Sequence, residues 1–143
     1  MDSVDHINID VNDLEACYQF YRDELALTEL RPPESFQGDH AMFEAGDTVV
    51  TLVETGRADR WGHRQLAHPL DKSHLAFRAE PSTYDRFVET FADQFPNQGP
   101  YDWGESEGYY FLDPDGNLLE VVTDIRQSIR RDQPLLTHDD VTD

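Results

Sequence analysis

Three side chains in this sequence carry ligand chemistry in surroundings that do not otherwise suit them: His6, His74 and Glu120. Glu120 falls within "YFLDPDGNLLEVV", residues 110–122. Asp113-Pro114-Asp115-Gly116-Asn117 is a turn signal, because Pro presets one backbone angle and Gly accepts the positive φ that such turns need. Apolar runs flank it, so the stretch reads as a β-hairpin. In the second strand Leu118, Glu120 and Val122 share one face, and Leu119, Val121 and Thr123 share the other. An ionised carboxylate between two apolar side chains costs on the order of several kcal/mol unless something pairs with it. A metal ion, a cationic side chain or an edge open to water would each relieve that cost. His6 and His74 each open a "His-apolar-x-apolar" run that reads as a strand. A lone strand histidine is ordinarily a hydrogen-bonded core residue. Two of them with an unexplained carboxylate also make the ligand set of a facial triad, which leaves coordination positions open for substrate or water.

The elements that must position these residues are written twice. The first half opens with a strand over Val4–Val11. A helix follows, with Asn12 and Glu15 as a capping box and Leu14, Cys17, Tyr18, Tyr21 and Leu25 at helical spacing. After Pro32-Pro33 come two short strands, Ala41–Glu44 and Thr48–Glu54, around a Gly46-Asp47 turn. The second half repeats the order. "HLAFRA" (74–79) is a strand, and Ser82 with Asp85 caps a helix reaching about Gln94, with Tyr84, Phe87, Val88, Phe91 and Phe95 on its apolar face. Pro96–Pro100 ends the helix, a strand follows near Tyr101, and the hairpin closes the half. The 68-residue offset between His6 and His74 recurs between Phe43 and Phe111. Tandem βαβββ modules are therefore expected, repeat 1 over about 3–56 and repeat 2 over about 72–124 of a single domain 1–124. Residues 57–72 are polar and read as a linker or loop near the site, with Arg57, Arg60, His63, Arg64 and His68. The tail 125–143 is charged, and its Ile125, Ile129, Leu135 and Leu136 either dock on a partner subunit or stay loosely held.

The 143 residues suffice for one domain with a core. The net charge is −19, and Lys72 is the only lysine among the basic residues. An acidic, lysine-poor surface resembles that of halophile proteins, where salt screens the self-repulsion; an acidic protein that binds cationic partners is the other reading. Either argues against a nucleic-acid partner, whose phosphates would be repelled. The single cysteine, Cys17, excludes an internal disulfide and a Cys-rich metal site, and reads as core on a helix face. No signal peptide or long apolar run is present, so the expected protein is cytoplasmic, with no membrane partner.

The segments "DHINIDVNDLEACYQFYRDELAL" (5–27), "SHLAFRA" (73–79) and "YFLDPDGNLLEVV" (110–122) resemble the vicinal oxygen chelate superfamily. This superfamily includes glyoxalase I, extradiol dioxygenases, fosfomycin resistance thiol transferases and bleomycin-binding proteins. The resemblance covers residues 4–124. It implies an α+β fold whose tandem βαβββ modules form a cupped, mixed or antiparallel eight-stranded half-barrel with the helices outside. It implies His6, His74 and Glu120 as ligands of one divalent metal per site, iron, manganese, nickel or zinc. It also implies a small-molecule substrate and homodimerisation. Asn8, Ala76 and Arg78 then share the cavity side, while Ile7, Ile9, Leu75, Phe77, Leu119 and Val121 face the helices.

Glyoxalase I-like members supply a fourth ligand, a glutamate, from the last strand of the first repeat. Matching Val49-Val50 to Leu118-Leu119 puts Thr51 there; the plain offset puts Leu52 there, and neither is a carboxylate. Glu54 would need a strand slip to serve, and Glu44 would have to swing in. Three ligands favour dioxygenase-like or thiol-transferase-like sites over glyoxalase I. The single lysine and the lack of the fosfomycin enzymes' loop weigh against phosphonate binding. The implied function is a metal-dependent enzyme, dioxygenase-like or lyase-like, in which the cation chelates vicinal oxygens of the substrate and acts as a Lewis acid. Tyr110, or Tyr109, is a candidate acid or hydrogen-bond donor, with an aromatic core role as its alternative. Arg78 is a candidate for a substrate carboxylate or for a surface ion pair. His40, His63 and His68 are second candidates for acid/base work or solvated loop histidines, and His138 lies in the tail. The competing reading is a metal-free, bleomycin-resistance-like dimer that sequesters a cationic molecule in an acidic, aromatic groove, with Trp61 and Trp103 contributing.

Overall fold

The computed structural model describes residues 1–36, 39–57, 73–104 and 106–123. The expectations for Trp61, His63, His68 and the tail with His138 lie outside the described residues. The chain divides into two compact units, Met1–Arg64 with Asp113–Asn117, and Gln65–Leu112 with Leu118–Asp143. No described helix is long and apolar enough to cross a membrane.

The first unit holds β1 (His6–Val11), α1 (Leu14–Gln19), a π-helical turn (Phe20–Glu24), β2 (Thr28–Arg31), β3 (His40–Ala45) and β4 (Thr48–Glu54). Its four-stranded sheet has the order β1-β4-β3-β2, with β1 parallel to β4 and the other pairs antiparallel. The second unit holds β5 (Leu75–Arg78), α2 (Pro81–Phe91), β6 (Asn97–Asp102), β7 (Glu107–Leu112) and β8 (Leu118–Val122). Its sheet, β5-β8-β7-β6, repeats that order and polarity. The α+β class and the βαβββ order read from the sequence are both present, with the eight strands divided into two mixed sheets of four.

Each helix covers one sheet face with aromatic side chains. Tyr18 and Tyr21 lie against Phe43, with ring centroids 5.9 and 6.2 Å apart. Phe87 and Phe91 lie against Phe111 at 5.1 and 5.3 Å. Phe43 and Phe111, the repeat-equivalent pair, are both fully buried. Full burial of such a side chain contributes about 1.5–3 kcal/mol.

Local boundaries differ from the sequence reading, most of all at the two helix caps and the two edge strands. The N-cap of α1 is Asp13, not Asn12: its carboxylate accepts from Ala16 N at 3.1 Å. The N–H groups of Asn12 and Asp13 donate instead to Asp115 Oδ2, at 2.7 and 3.0 Å. The cap of α2 is Glu80 rather than Ser82, because Pro81 takes the first helical position, where its fixed φ suits the helix and its missing N–H costs nothing. A strand, β2, precedes Pro32-Pro33. Its four residues are exposed at a sheet edge, so no buried alternation marked it. Strand β6 runs through Gly99-Pro100, read above as a break; a register shift between Gln98 and Tyr101 accommodates the proline on an edge strand.

The turn Asp113–Asn117 belongs to the first unit although it joins β7 to β8. Asp113 Oδ1 accepts from Asp115 N and Asn117 N, each at 2.9 Å. Its Oδ2 accepts from the Tyr21 hydroxyl at 2.8 Å and Asn117 Nδ2 at 2.9 Å. Burial pushes the Asp113 carboxyl up, and these bonds oppose the shift. Asp115 Oδ2 also accepts from the Cys17 thiol at 3.2 Å, and burial holds that thiol protonated.

We predict that Asp113→Ala lowers the unfolding free energy by about 3 kcal/mol, since each buried donor left unsatisfied costs about 1–3 kcal/mol. Urea denaturation measures it; a loss within experimental error would show the network to be dispensable. The buried tyrosines give a second prediction. Burial raises the phenols of Tyr21, Tyr84 and Tyr109, the last from 10.0 to about 12. A folded pKa above the unfolded one gives stability that is complete below pH 10 and lost as pH rises through the folded value. Phenolate absorbance of these residues should therefore appear together with loss of circular dichroism above about pH 10, not before it.

Candidate metal centre on the second sheet

Register decides which side chains meet Glu120. On β8 it pairs with Ala76 of β5 and Tyr110 of β7, while Val122 pairs with Arg78 and Gly108. Tyr110, Gly108, Ala76 and Arg78 thus share the face of Glu120, with His74 two residues before Ala76. Helix α2 covers the other face, where Tyr109 packs on Phe87 and Phe111. Of the two tyrosines considered, Tyr110 is the one beside the carboxylate, and Tyr109 is core.

Glu120 is only 4 % exposed. His74 Nε2 stands 3.0 Å from its Oε1. The Tyr110 ring meets the His74 ring edge-on, with centroids 5.2 Å apart. Burial is the largest cause that pushes the Tyr110 phenol up, followed by the negative charge of Glu120 beside it. Tyr101, Trp103, Tyr110 and Leu118 form a buried cluster around this group. The carboxylate between apolar neighbours thus has an imidazole as its hydrogen-bond partner, with a phenol paired beside it across the strands.

The first sheet has the same register with different chemistry. Thr51 pairs with Asn8 and Met42, as Glu120 pairs with Ala76 and Tyr110. Since Ile7 pairs with Val50 as Leu75 pairs with Leu119, Thr51 is the repeat-equivalent of Glu120, and Leu52 is not. The Thr51 hydroxyl is buried without a hydrogen-bond partner among the described residues. Glu54 pairs with Val11 on the opposite face, and its carboxylate accepts from Leu14 N at 3.0 Å. Glu44 shares the face of Thr51 and is exposed. His6 Nδ1 is 2.8 Å from an Asp5 carboxylate oxygen, which leaves Nε2 available on a half-exposed ring.

His74, Glu120 and Tyr110 are therefore brought together, while His6 lies in the other unit. Among the described residues no three His, Cys, Asp or Glu side chains converge. Arg78 is exposed on the Glu120 face. His40 is 2.5 Å from the Asp39 carboxylate at the start of β3. The sequence offers Trp103 only as a groove aromatic of the metal-free alternative and gives Gly108 no role; the one signal for Gly108 is its position two residues before Tyr110, on the same strand face.

The donor set suits a divalent cation. A neutral imidazole and a carboxylate are borderline-to-hard donors of the kind bound by zinc, iron, nickel and manganese. The two donors are hydrogen-bonded to each other at 3.0 Å, close enough to turn toward one ion.

Comparison with known proteins agrees with the fold and the motifs. The family model for the Glyoxalase/Bleomycin resistance protein/Dioxygenase superfamily matches residues 3–121. Metallothiol transferase FosB of Shouchella clausii is 29% identical over 127 residues, covering 86% of this chain and 81% of that protein. A glyoxalase/dioxygenase from Nostoc punctiforme superposes with a TM-score of 0.67 at 28% identity, covering 86% of this chain and 91% of the other. A lactoylglutathione lyase from Agrobacterium tumefaciens superposes with a TM-score of 0.64 at 23% identity, covering 87% and 95%. With residues 3–121 of 143 matched by the family model, the chain belongs to the Glyoxalase/Bleomycin resistance protein/Dioxygenase superfamily.

Proposed function

We propose that this protein is a divalent-metal-dependent enzyme whose cation is held by His6, His74 and Glu120 and whose small substrate chelates through neighbouring oxygens. The observation that carries this reading is the buried Glu120 carboxylate with His74 Nε2 at 3.0 Å on the sheet face away from α2. When bound, the metal would supply Lewis acidity toward developing negative charge on substrate oxygen. The chain's own residues do the rest. His74 and Glu120 present adjacent donors. Tyr110 lines the site beside the carboxylate and stays protonated, because burial and Glu120 disfavour the phenolate. Arg78 is exposed on the same face and would bind an anionic group of the substrate. Thr51 takes the place of a possible fourth carboxylate, which favours three protein ligands. Dioxygenase-like and lyase-like reactions are both compatible with this set. The likeness to two metallothiol transferases, 29% and 27% identical, favours thiol transfer to an electrophile.

Elemental analysis tests the reading, on protein purified at high salt without chelator or affinity tag. About one divalent metal per chain is expected, with affinity lowered more than 100-fold in His74→Ala and Glu120→Gln, since outer-shell partners alone are worth about 10–100-fold. No stoichiometric metal, and no uptake of added iron(II), manganese, nickel or zinc, would remove the enzyme reading. It would put the metal-free, drug-sequestering alternative first.

A further inference from the structure

Gly108 sits inside β7, where glycine weakens a strand, and its φ is not in the positive region that would require it. Its reason is space. A Cβ there would stand 2.3 Å from Glu120 Oε2 and 2.5 Å from Trp103 Nε1, with Trp103 Cδ1 at 3.3 Å. The carboxylate oxygen not facing His74 and the indole N–H therefore both occupy the volume that any side chain at 108 would fill. Trp103 is held at this spot by its own backbone, which donates to Ser106 O at 2.8 Å, and by the Tyr101 ring 5.7 Å away. Its side chain is almost wholly buried, beside the Tyr101 ring that also meets Tyr110 at 5.7 Å. The order along the face is Trp103, Tyr110, Glu120, His74.

We propose that Trp103 and Gly108 are positioning residues for Glu120: the bare backbone of Gly108 admits the indole and the carboxylate to one small volume, and the Trp103 N–H in that volume holds the carboxylate with Oε1 turned to His74. An aromatic side chain that merely filled the core would need no N–H at this point, and a strand glycine that merely tolerated the fold would have free space above it. The inference rests on the metal-site reading for its consequence in affinity, but the arrangement of Glu120 against His74 can be read without metal.

The test uses the full chain as Trp103→Phe, which keeps the ring and removes the N–H, and as Gly108→Ala. Zinc affinity is measured by competition with a chromophoric chelator. The His74 imidazole nitrogen resonances are recorded at fixed pH in the metal-free protein, with Glu120→Gln as reference. Trp103→Phe is expected to weaken zinc binding about 10–100-fold, the range for outer-shell partners of a ligand. It should also move the His74 resonances toward those of Glu120→Gln, with the metal-free melting temperature little changed. Gly108→Ala is expected to do the same or more. Wild-type values for either readout in folded Trp103→Phe would overturn the proposal. Should the wild-type chain itself bind no zinc, the metal-site reading fails, and the His74 resonances alone decide whether Trp103 positions Glu120.

Discussion

The arrangement depends on carboxylates that are buried and must each be fully partnered. Asp113 takes four hydrogen bonds and Asp115 three, and together they set the turn between β7 and β8 against the start of α1 and against Tyr21. The turn has one conformation because any other would leave charged oxygens without donors at a cost of several kcal/mol, roughly. Strand β8 begins at the next residue, Leu118, so the turn also sets its register. A slip of one residue would send Glu120 to the face under α2 and a leucine or valine to the face of His74. Local turn chemistry thus fixes which way the one carboxylate of the last strand points.

The two modules show how one backbone supports different chemistry. Their strand orders, polarities and pairings coincide, down to Phe43 and Phe111 beneath each helix. At the matching central positions one sheet carries Met42 and Thr51, and the other carries Tyr110 and Glu120. Packing of the helix-covered faces tolerates no such difference, since both are filled by aromatic and branched side chains. The opposite faces are free to diverge. The second gathers Trp103, Tyr110 and the hydrogen-bonded pair Glu120 and His74, and the first has a buried hydroxyl at the equivalent point.

Several features were determined by the sequence alone. Alternation of period two placed Glu120 opposite Leu119 and Val121 in facing, and the 68-residue offset announced the duplication and paired His6 with His74. Both are local or periodic signals, which a linear text carries without reference to tertiary contact. Element ends were less legible. The caps of α1 and α2 moved by one and two residues, because distant groups, Asp115 and Glu54, took the donors near the start of α1, and Pro81 set the first turn of α2. Strand β2 carried no signal, since an exposed edge strand has no buried face to write into its side chains.

Only the tertiary structure decided who partners Glu120. His74 is 46 residues away in sequence, and no spacing rule sets their separation at 3.0 Å. Parallel pairing of β5 with β8 does so, through contacts between strands far apart in the chain. Register likewise chose Thr51 over Leu52 as the counterpart of Glu120 and turned Glu54 to the helix side, where it binds Leu14 N. The role of Gly108 was invisible in the text because it depends on an absent atom. A glycine reads as flexibility in one dimension, and only the positions of Trp103 Nε1 and Glu120 Oε2 over it show that it is there to leave room.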